Sequence, residues 1–338
     1  MTENKSFIKN IGDVGYQPAM RDRFMFPFST LNYLLSGGIY GRLAIWYSKT
    51  DEGKSTVASQ ILCYCVKQGI KCFADFGEDT IDEATERIFK QYTPYDKENY
   101  VSQNFIYNEK PTNIWEYHLT EEKWEEARKV FNEKLYIFDI MKSPNLKNIV
   151  KALDEAREKG CKVGLIDNLE NVESVEDSSE NKFLKDVAIT LRDYAVKYNM
   201  YIMLVCHARK IEKEYLVPEI EDIKGSSAVS NTGKDICLIL RTDRMDKDSK
   251  QYKNLRKLVE LNNYDLDTAD GVIMVKKTKG KGLGMFTIGY SRQTHSYYEC
   301  KKLDESKEPS DKPIMFVKDE KVVDPNLVPI DLDISNIF

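Results

Sequence analysis

The chain has 338 residues, 41% of them apolar and 11% aromatic, enough to build a sizeable core in one large α/β domain or two smaller ones. A formal net charge of −5 excludes a globally basic nucleic-acid binder, so any grip on a phosphate backbone has to come from a local basic loop. The seven cysteines form no C-x-x-C pair and lie mostly in apolar runs, three histidines are too few for a His-rich metal site, and no apolar run nears the ~18 residues that span a bilayer. The expectation is a soluble, cytoplasmic protein with reduced core thiols and no membrane contact.

Residues 1–24 are polar and weakly patterned and read as an arm. A short helix is expected over Phe28–Leu35 with Ser29 as its cap, ended by Gly37-Gly38. The apolar run at 42–47 reads as a strand, Ser55–Gln68 as a helix stopped at Gly69, and Lys71–Phe76 as a second strand. A helix over Thr80–Tyr92 has Glu83 placed for a capping box. Residues 93–120 are aromatic without a regular pattern, and Thr120 caps the next helix. Leu135–Ile140 reads as a strand, Ser143-Pro144 as the start of a helix running to Gly160, and Cys161–Leu169 as a buried strand. Ser179–Tyr198 is an amphipathic helix and Met200–His207 another buried strand.

Strands and helices alternate at βαβ spacing, which predicts an α/β fold with a mainly parallel central sheet covered by helices on both faces. After His207 the pattern changes to strands at 235–241, 271–277 and 283–290, an antiparallel C-terminal extension. A charged insertion at 242–270 carries a helix at Tyr252–Leu261. The chain therefore divides into an arm (1–24), a core domain (25–302) and a flexible acidic tail (303–338).

The stretch from Gly41 to Thr56, GRLAIWYSKTDEGKST, combines a strand, a polar loop and a helix opening at Gly53-Lys54-Ser55-Thr56. That order makes a phosphate-binding loop, or Walker A motif. Backbone N–H groups from Ser48, Lys49, Thr50, Asp51, Glu52 and Gly53 onward wrap phosphates at a helix N-terminus, Lys54 reaches the β/γ-phosphates, and the Ser55 hydroxyl holds Mg²⁺. The first glycine of the motif is replaced by Ser48, and Asp51 and Glu52 bring two carboxylates to the cradle. Asp167, at the end of KVGLID, is placed to hold the Mg²⁺ shell. Glu78, after the second strand, is placed to activate an attacking water, although Asp75, Glu78 and Asp79 also fit a solvated acidic turn. His207 ends the strand MYIMLVCH facing the γ-phosphate edge; a histidine in that place is equally compatible with a structural role. The basic loop that follows, with Arg209, Lys210, Lys213, Lys224, Gly225 and Ser226, can grip a nucleic-acid backbone despite its interleaved glutamates.

In this order, STLNYLLSGGIYGRLAIWYSKTDEGKST, FGEDTIDEATERI, GCKVGLIDNLENV, YIMLVCHARK, IKGSSAVSNTGKDICLIL and IMVKKTKGKGLG, the chain resembles the RecA-like ATPase domain of ring-shaped replicative DNA helicases. The likeness is to the helicase half of phage helicase–primases and Twinkle, without their primase segment, and more distantly to DnaB, over roughly residues 25–300. The resemblance implies an ATP-dependent DNA helicase using ATP (or another NTP) and Mg²⁺, with Lys54 on the phosphates, Glu78 as catalytic base and His207 as γ-phosphate sensor. It implies Arg241 or Arg244 near the nucleotide, residues 209–226 on single-stranded DNA, a homo-oligomeric ring, commonly a hexamer, and 5′→3′ translocation.

Where relatives carry an arginine finger, this chain has Thr278 among lysines, so either Lys277 or Lys279 substitutes, or Arg292 or another residue reaches in, or hydrolysis is slow. The tail ends IDLDISNIF, and an acidic tail ending in Phe338 resembles polymerase-binding tails of phage helicases. A filament-forming recombinase or mediator ATPase, or a nucleotide-dependent scaffold or loader with weak hydrolysis, remain the alternatives at this point.

Overall fold

In the computed structural model, which describes residues 22–303 except 108–109, 140, 174–179, 210–216 and 225–226, the fold is built on one large sheet. The elements of the first half are β1 (Arg23–Phe24), α1 (Ser29–Leu35), β2 (Gly38–Ile39), β3 (Arg42–Ser48), α2 (Lys54–Lys67), β4 (Cys72–Phe76), α3 (Ile81–Tyr92), β5 (Tyr100–Tyr107), β6 (Lys110–Leu119) and α4 (Glu121–Phe131). There follow β7 (Leu135–Ile137), α5 (Leu146–Glu158), β8 (Val163–Asp167), α6 (Glu180–Tyr198), β9 (Tyr201–His207), α7 (Ser227–Thr232), β10 (Asp235–Arg241), α8 (Lys250–Leu261), β11 (Gly271–Lys277), β12 (Gly284–Ser291) and β13 (Ser296–Glu299).

The sheet has nine strands in the order β13-β12-β11-β10-β3-β9-β8-β4-β7. From β10 to β7 every pairing is parallel, and β10 through β13 pair antiparallel, as the change of pattern after His207 predicts. β3 and β8 are buried at every position, so both faces of the sheet are covered. Leu43, Ile45, Leu165, Leu204 and Ile239 are among the side chains with no exposed surface. Each such burial contributes about 1.5–3 kcal/mol, which is why the strand order is set by the central apolar runs. No described helix is long and apolar enough to cross a membrane.

Local signals place most element ends. Thr80 accepts from Glu83 N, and the Glu83 carboxylate accepts from Thr80 N, completing the expected capping box. Thr120 likewise accepts from Lys123 N. Three expectations shift. Phe28, not Ser29, precedes the first turn of α1, because the Ser29 hydroxyl donates to Glu299. α5 starts beyond Asn145, whose side chain accepts from Asn148 N, while the Ser143 hydroxyl donates to Glu173. Residues within 93–120, expected to be irregular, form the β5–β6 hairpin. Its pattern is hidden because it stands off the main sheet and is anchored by Tyr100, which is buried and donates to Lys90 O or Thr93 O. The pair β1–β2 and the strand β13 also lie outside the sequence expectations, and β1 brings Arg23–Phe24 of the arm against Gly38–Ile39.

Candidate active site

The parallel register brings the tips of β3, β4, β8 and β9 to one rim of the sheet: Ser48 lies opposite His207, and Phe76 opposite Asp167. Ser48 is fully buried, and the loop after it turns through Asp51 (φ 62°) and Gly53 (φ 85°) into α2. Gly53 needs its missing side chain twice over, since the Tyr297 hydroxyl occupies the place a Cβ would take. Tyr297 is pinned there by Gln60, whose side chain donates to Tyr297 O and accepts from Tyr297 N. Gln91 adds bonds to Thr56 O and His295 O. β13 thus braces the start of α2.

Lys54 is nearly fully buried. Its Nζ donates to Lys49 O at 2.7 Å and Ser48 O at 3.5 Å, and lies 3.4 Å from His207 Nδ1. Burial lowers its pKa, opposed by Asp167, Glu170, Glu52 and Glu78. Burial also pushes the Asp167 carboxyl up to about 6, opposed by a hydrogen bond with Ser55 and by the charges of Arg87 and Lys54. Asp75, one register position away on β4, is pushed up to about 7 by burial and by Asp167. The Ser55 hydroxyl and the Asp167 carboxylate together fit a Mg²⁺ that arrives with phosphates. Such an ion takes one or two protein oxygens and keeps water and phosphate for the rest, and no group of three or more metal-ligating side chains exists among the described residues.

Glu78 projects from the turn after β4 with most of its side chain exposed, so water reaches it. That turn is held by Arg87, which pairs with Asp79 at 2.5 Å, donates to Ser59 of α2 and lies over the Phe76 ring. Asn168, immediately after β8, reaches Glu78 Oε1 at 2.7 Å and His207 Nε2 at 3.1 Å. Glu170 accepts from His207 N, and burial raises its pKa.

Beside the loop lies a cleft of about 400 Å³ lined by Lys49–Glu52 on one side and by Arg241, Arg244, Met245, Asp246, Ser249 and Gln251 on the other. The 242–270 insertion therefore walls the phosphate loop. Glu52 turns away from solvent and accepts from Arg241 N, while the Arg241 guanidinium pairs with Asp243. Burial raises the pKa of Glu52, opposed by that N–H and by Lys49 and Lys54.

A family model of the DnaB-like helicase C-terminal domain matches residues 25–299. The chain belongs to that family. The DnaB-like domain is similar in fold to a DnaB-like replicative helicase whose structure is described with its interactions with primase. The likeness is at 13% identity and a TM-score of 0.63, over 83% of this chain and 64% of that one, so the chain spans less than two thirds of that helicase. It is also similar to a solved structure described as an ATPase domain (13% identity, TM-score 0.62, 81% of this chain and 90% of that one). A KaiC-like protein from Pyrococcus horikoshii shares the fold at 11% identity and a TM-score of 0.52, over 83% of this chain and the whole of that one. No curated protein sequence matches. The RecA-like core and its antiparallel extension are as expected from the sequence.

Of the residues singled out from the sequence, Ser48 through Thr56, Glu78, Asp167, His207 and Arg241 all come to this rim or its cleft. The three candidates for a trans-acting cation separate. Lys277 pairs in register with Ile236 at the start of β10, so it and Lys279 belong to the rim opposite the phosphate loop, and the Lys277 ammonium donates to Ser230 O. Arg292 follows β12 on the phosphate-loop side, near Tyr290. Thr278 is engaged locally, donating to Asp235. In the basic loop, Arg209 N donates to Asp222 O, and Lys224 pairs with Glu180 while its N–H donates to His207 O. Lys210, Lys213, Gly225, Ser226 and the tail to Phe338 lie outside the described residues. Sequence reasoning passes over Asn168, Glu170, Arg87 and Tyr297. Only Asn168, next to Asp167, has a signal by position.

Proposed function

We propose that the chain is a subunit of an NTP-driven replicative DNA helicase of a phage replisome, moving 5′→3′ on single-stranded DNA as a homo-oligomeric, hexameric ring in the cytoplasm of its host. The observation that carries this reading is the meeting of Lys54, Asp167, Glu78 and His207 on one rim, within a domain of the DnaB-like helicase family.

In this reading Lys54 leaves the carbonyls of Ser48 and Lys49 for the β/γ-phosphates, with the N–H groups of 48–56 around them. Ser55 and Asp167 hold the Mg²⁺, which neutralises charge on the phosphates when bound. Glu78 orients and deprotonates the attacking water, His207 senses the γ-phosphate, and the cleft beside Arg241 and Arg244 takes the nucleoside. Lys224 N donates to His207 O and Ala208 bridges Ile223, so the described ends of the segment proposed to hold DNA through Arg209, Lys210, Lys213, Lys224, Gly225 and Ser226 meet at the sensor. DNA held there has a short path to the phosphate. Lys277 and Lys279, on the opposite rim, are placed to serve a neighbour's site better than their own, and Arg292 is a cis-side alternative. The acidic tail ending in Phe338 is proposed to bind a DNA polymerase.

A second reading, a nucleotide-dependent scaffold or loader with slow hydrolysis, is favoured by the Glu52 carboxylate in the cleft and by lysines where a finger arginine is expected. NTP hydrolysis with and without single-stranded DNA, paired with unwinding of a forked duplex, separates the two. The helicase reading expects DNA-stimulated hydrolysis and unwinding lost in Lys54→Ala; the scaffold reading expects neither stimulation nor dependence on Lys54.

A further inference from the structure

Asn168 is buried at the end of β8, and its Oδ1 accepts from Asn171 N at 3.1 Å. That bond fixes which end of the amide faces the rim, so the NH₂ group meets both Glu78 Oε1 (2.7 Å) and His207 Nε2 (3.1 Å). A primary amide nitrogen has two protons and can give one to each. His207 Nε2 then has to accept, which leaves the proton of a neutral imidazole on Nδ1. Nδ1, however, lies 3.4 Å from Lys54 Nζ, which has only protons to offer. With the proton on Nδ1 two donors meet at Lys54; with it on Nε2 two donors meet at Asn168. In this arrangement the ring cannot satisfy both neighbours. Burial and the Lys54 charge lower the pKa of the ring, with Glu78 and Asp51 opposing and Lys224 adding to the effect, and a doubly protonated ring would set a donor against both neighbours at once.

We propose that Asn168 is a positioning residue that ties the γ-phosphate to the water-activating carboxylate. When phosphate oxygens draw Lys54 Nζ away, the donor–donor contact at Nδ1 ends and Nδ1–H is free to donate to a γ-phosphate oxygen. The tautomer with a bare Nε2 is then the favoured one, Nε2 accepts from Asn168, and the other amide proton holds Glu78 Oε1. When phosphate leaves, Lys54 returns to its loop carbonyls and the tautomer preference that organised Asn168 is lost. The Asn168–Glu78 bond at 2.7 Å exists without a γ-phosphate, and a γ-phosphate strengthens that hold on Glu78 by ending the competing donor contact at His207. This inference rests on the roles assigned to Lys54, Glu78 and His207 above.

The test uses the full chain. Asn168→Asp keeps the oxygen that accepts from Asn171 N but replaces the donor by an acceptor, and it is compared with His207→Ala and the double variant in steady-state ATP hydrolysis. The expected result is a kcat about 10- to 100-fold lower in Asn168→Asp with KM within about threefold of wild type, and a double variant no slower than the slower single variant. A kcat within about twofold of wild type, or losses that multiply in the double variant, overturns the proposal. A second measurement needs no variant of Asn168: ¹⁵N NMR of histidine-labelled wild-type protein with Mg²⁺ and the β,γ-imido analogue of ATP. His207, assigned by its absence in His207→Ala, is expected as the Nδ1–H tautomer, and an Nε2–H ring in that complex overturns the proposal. Hydrolysis that depends on Lys54 and Glu78 while either measurement fails removes only the role of Asn168. Hydrolysis that ignores Lys54 removes the helicase reading and the role of Asn168 with it.

Discussion

The two rims of the central sheet carry comparable buried polar groups and treat them in opposite ways. At the rim away from the phosphate loop, Arg42 pairs with Asp235 at 3.2 Å with almost no surface exposed on either side chain. Thr278 completes the group by donating to Asp235 at 2.7 Å and accepting from Gly280 N. The charges there are matched, although the buried Tyr201 hydroxyl beside them has no hydrogen-bond partner among the described residues. At the rim that carries Lys54, the ammonium is bonded to its own loop's carbonyls, His207 faces one donor too many, and Asp75 and Asp167 press two carboxyls together. Buried polar groups left short of partners cost stability, and they persist where a ligand completes the set. The closed rim stabilises the fold; the other is the one proposed to take phosphate.

Substitutions at the two rims should have opposite consequences. The largest expected effect is at the closed rim: Asp235→Ala leaves Arg42 buried and unpaired and should cost about 3–5 kcal/mol, read by urea denaturation. Lys54→Ala, equally buried, should leave stability unchanged or raised while lowering NTP hydrolysis by about 10²–10³-fold. Equal destabilisation by the two substitutions would erase the distinction between the rims.

Smaller effects sharpen it. Asp75 has a pKa raised from 3.8 to about 7, so the folded state keeps a proton that the unfolded chain has lost. Its contribution to stability is fully present below about pH 4 and is lost as pH rises through about 7. Asp75→Asn should therefore stabilise the nucleotide-free protein by roughly 1–3 kcal/mol at about pH 8 and by little at about pH 4, flattening the profile between them. A profile unchanged by the substitution would show that Asp75 is not strained. Thr278→Ala removes one hydroxyl from the closed rim and should cost about 1 kcal/mol in thermal or urea unfolding. If it instead lowers ATP hydrolysis with stability intact, Thr278 serves the site and not the rim.

Much of this is legible in the residues. The apolar runs at 42–47, 162–167 and 200–206 specify central strands because a buried parallel strand needs side chains that suit both faces. Gly53, the Thr80–Glu83 box and the Thr120 cap act within a few residues of themselves, so they can be read without knowing the fold. Lys54, Asp167, Glu78 and His207 are recognisable because each stands at the polar end of such a strand or at the helix start that follows one. The hairpin at 100–119 is not, since it stands apart from the main sheet and its residues carry no regular alternation to find.

Local composition and spacing were enough to define the central strands of the sheet and the polar residues at their ends. Only the tertiary structure decided which polar groups meet. Asn168 joins Glu78 and His207 across 90 and 39 residues, Glu52 finds Arg241 N across 189, and Gln60 finds Tyr297 across 237. Such partners are chosen by sheet order and register, and a one-residue slip in any of those strands would turn the side chains to the other face.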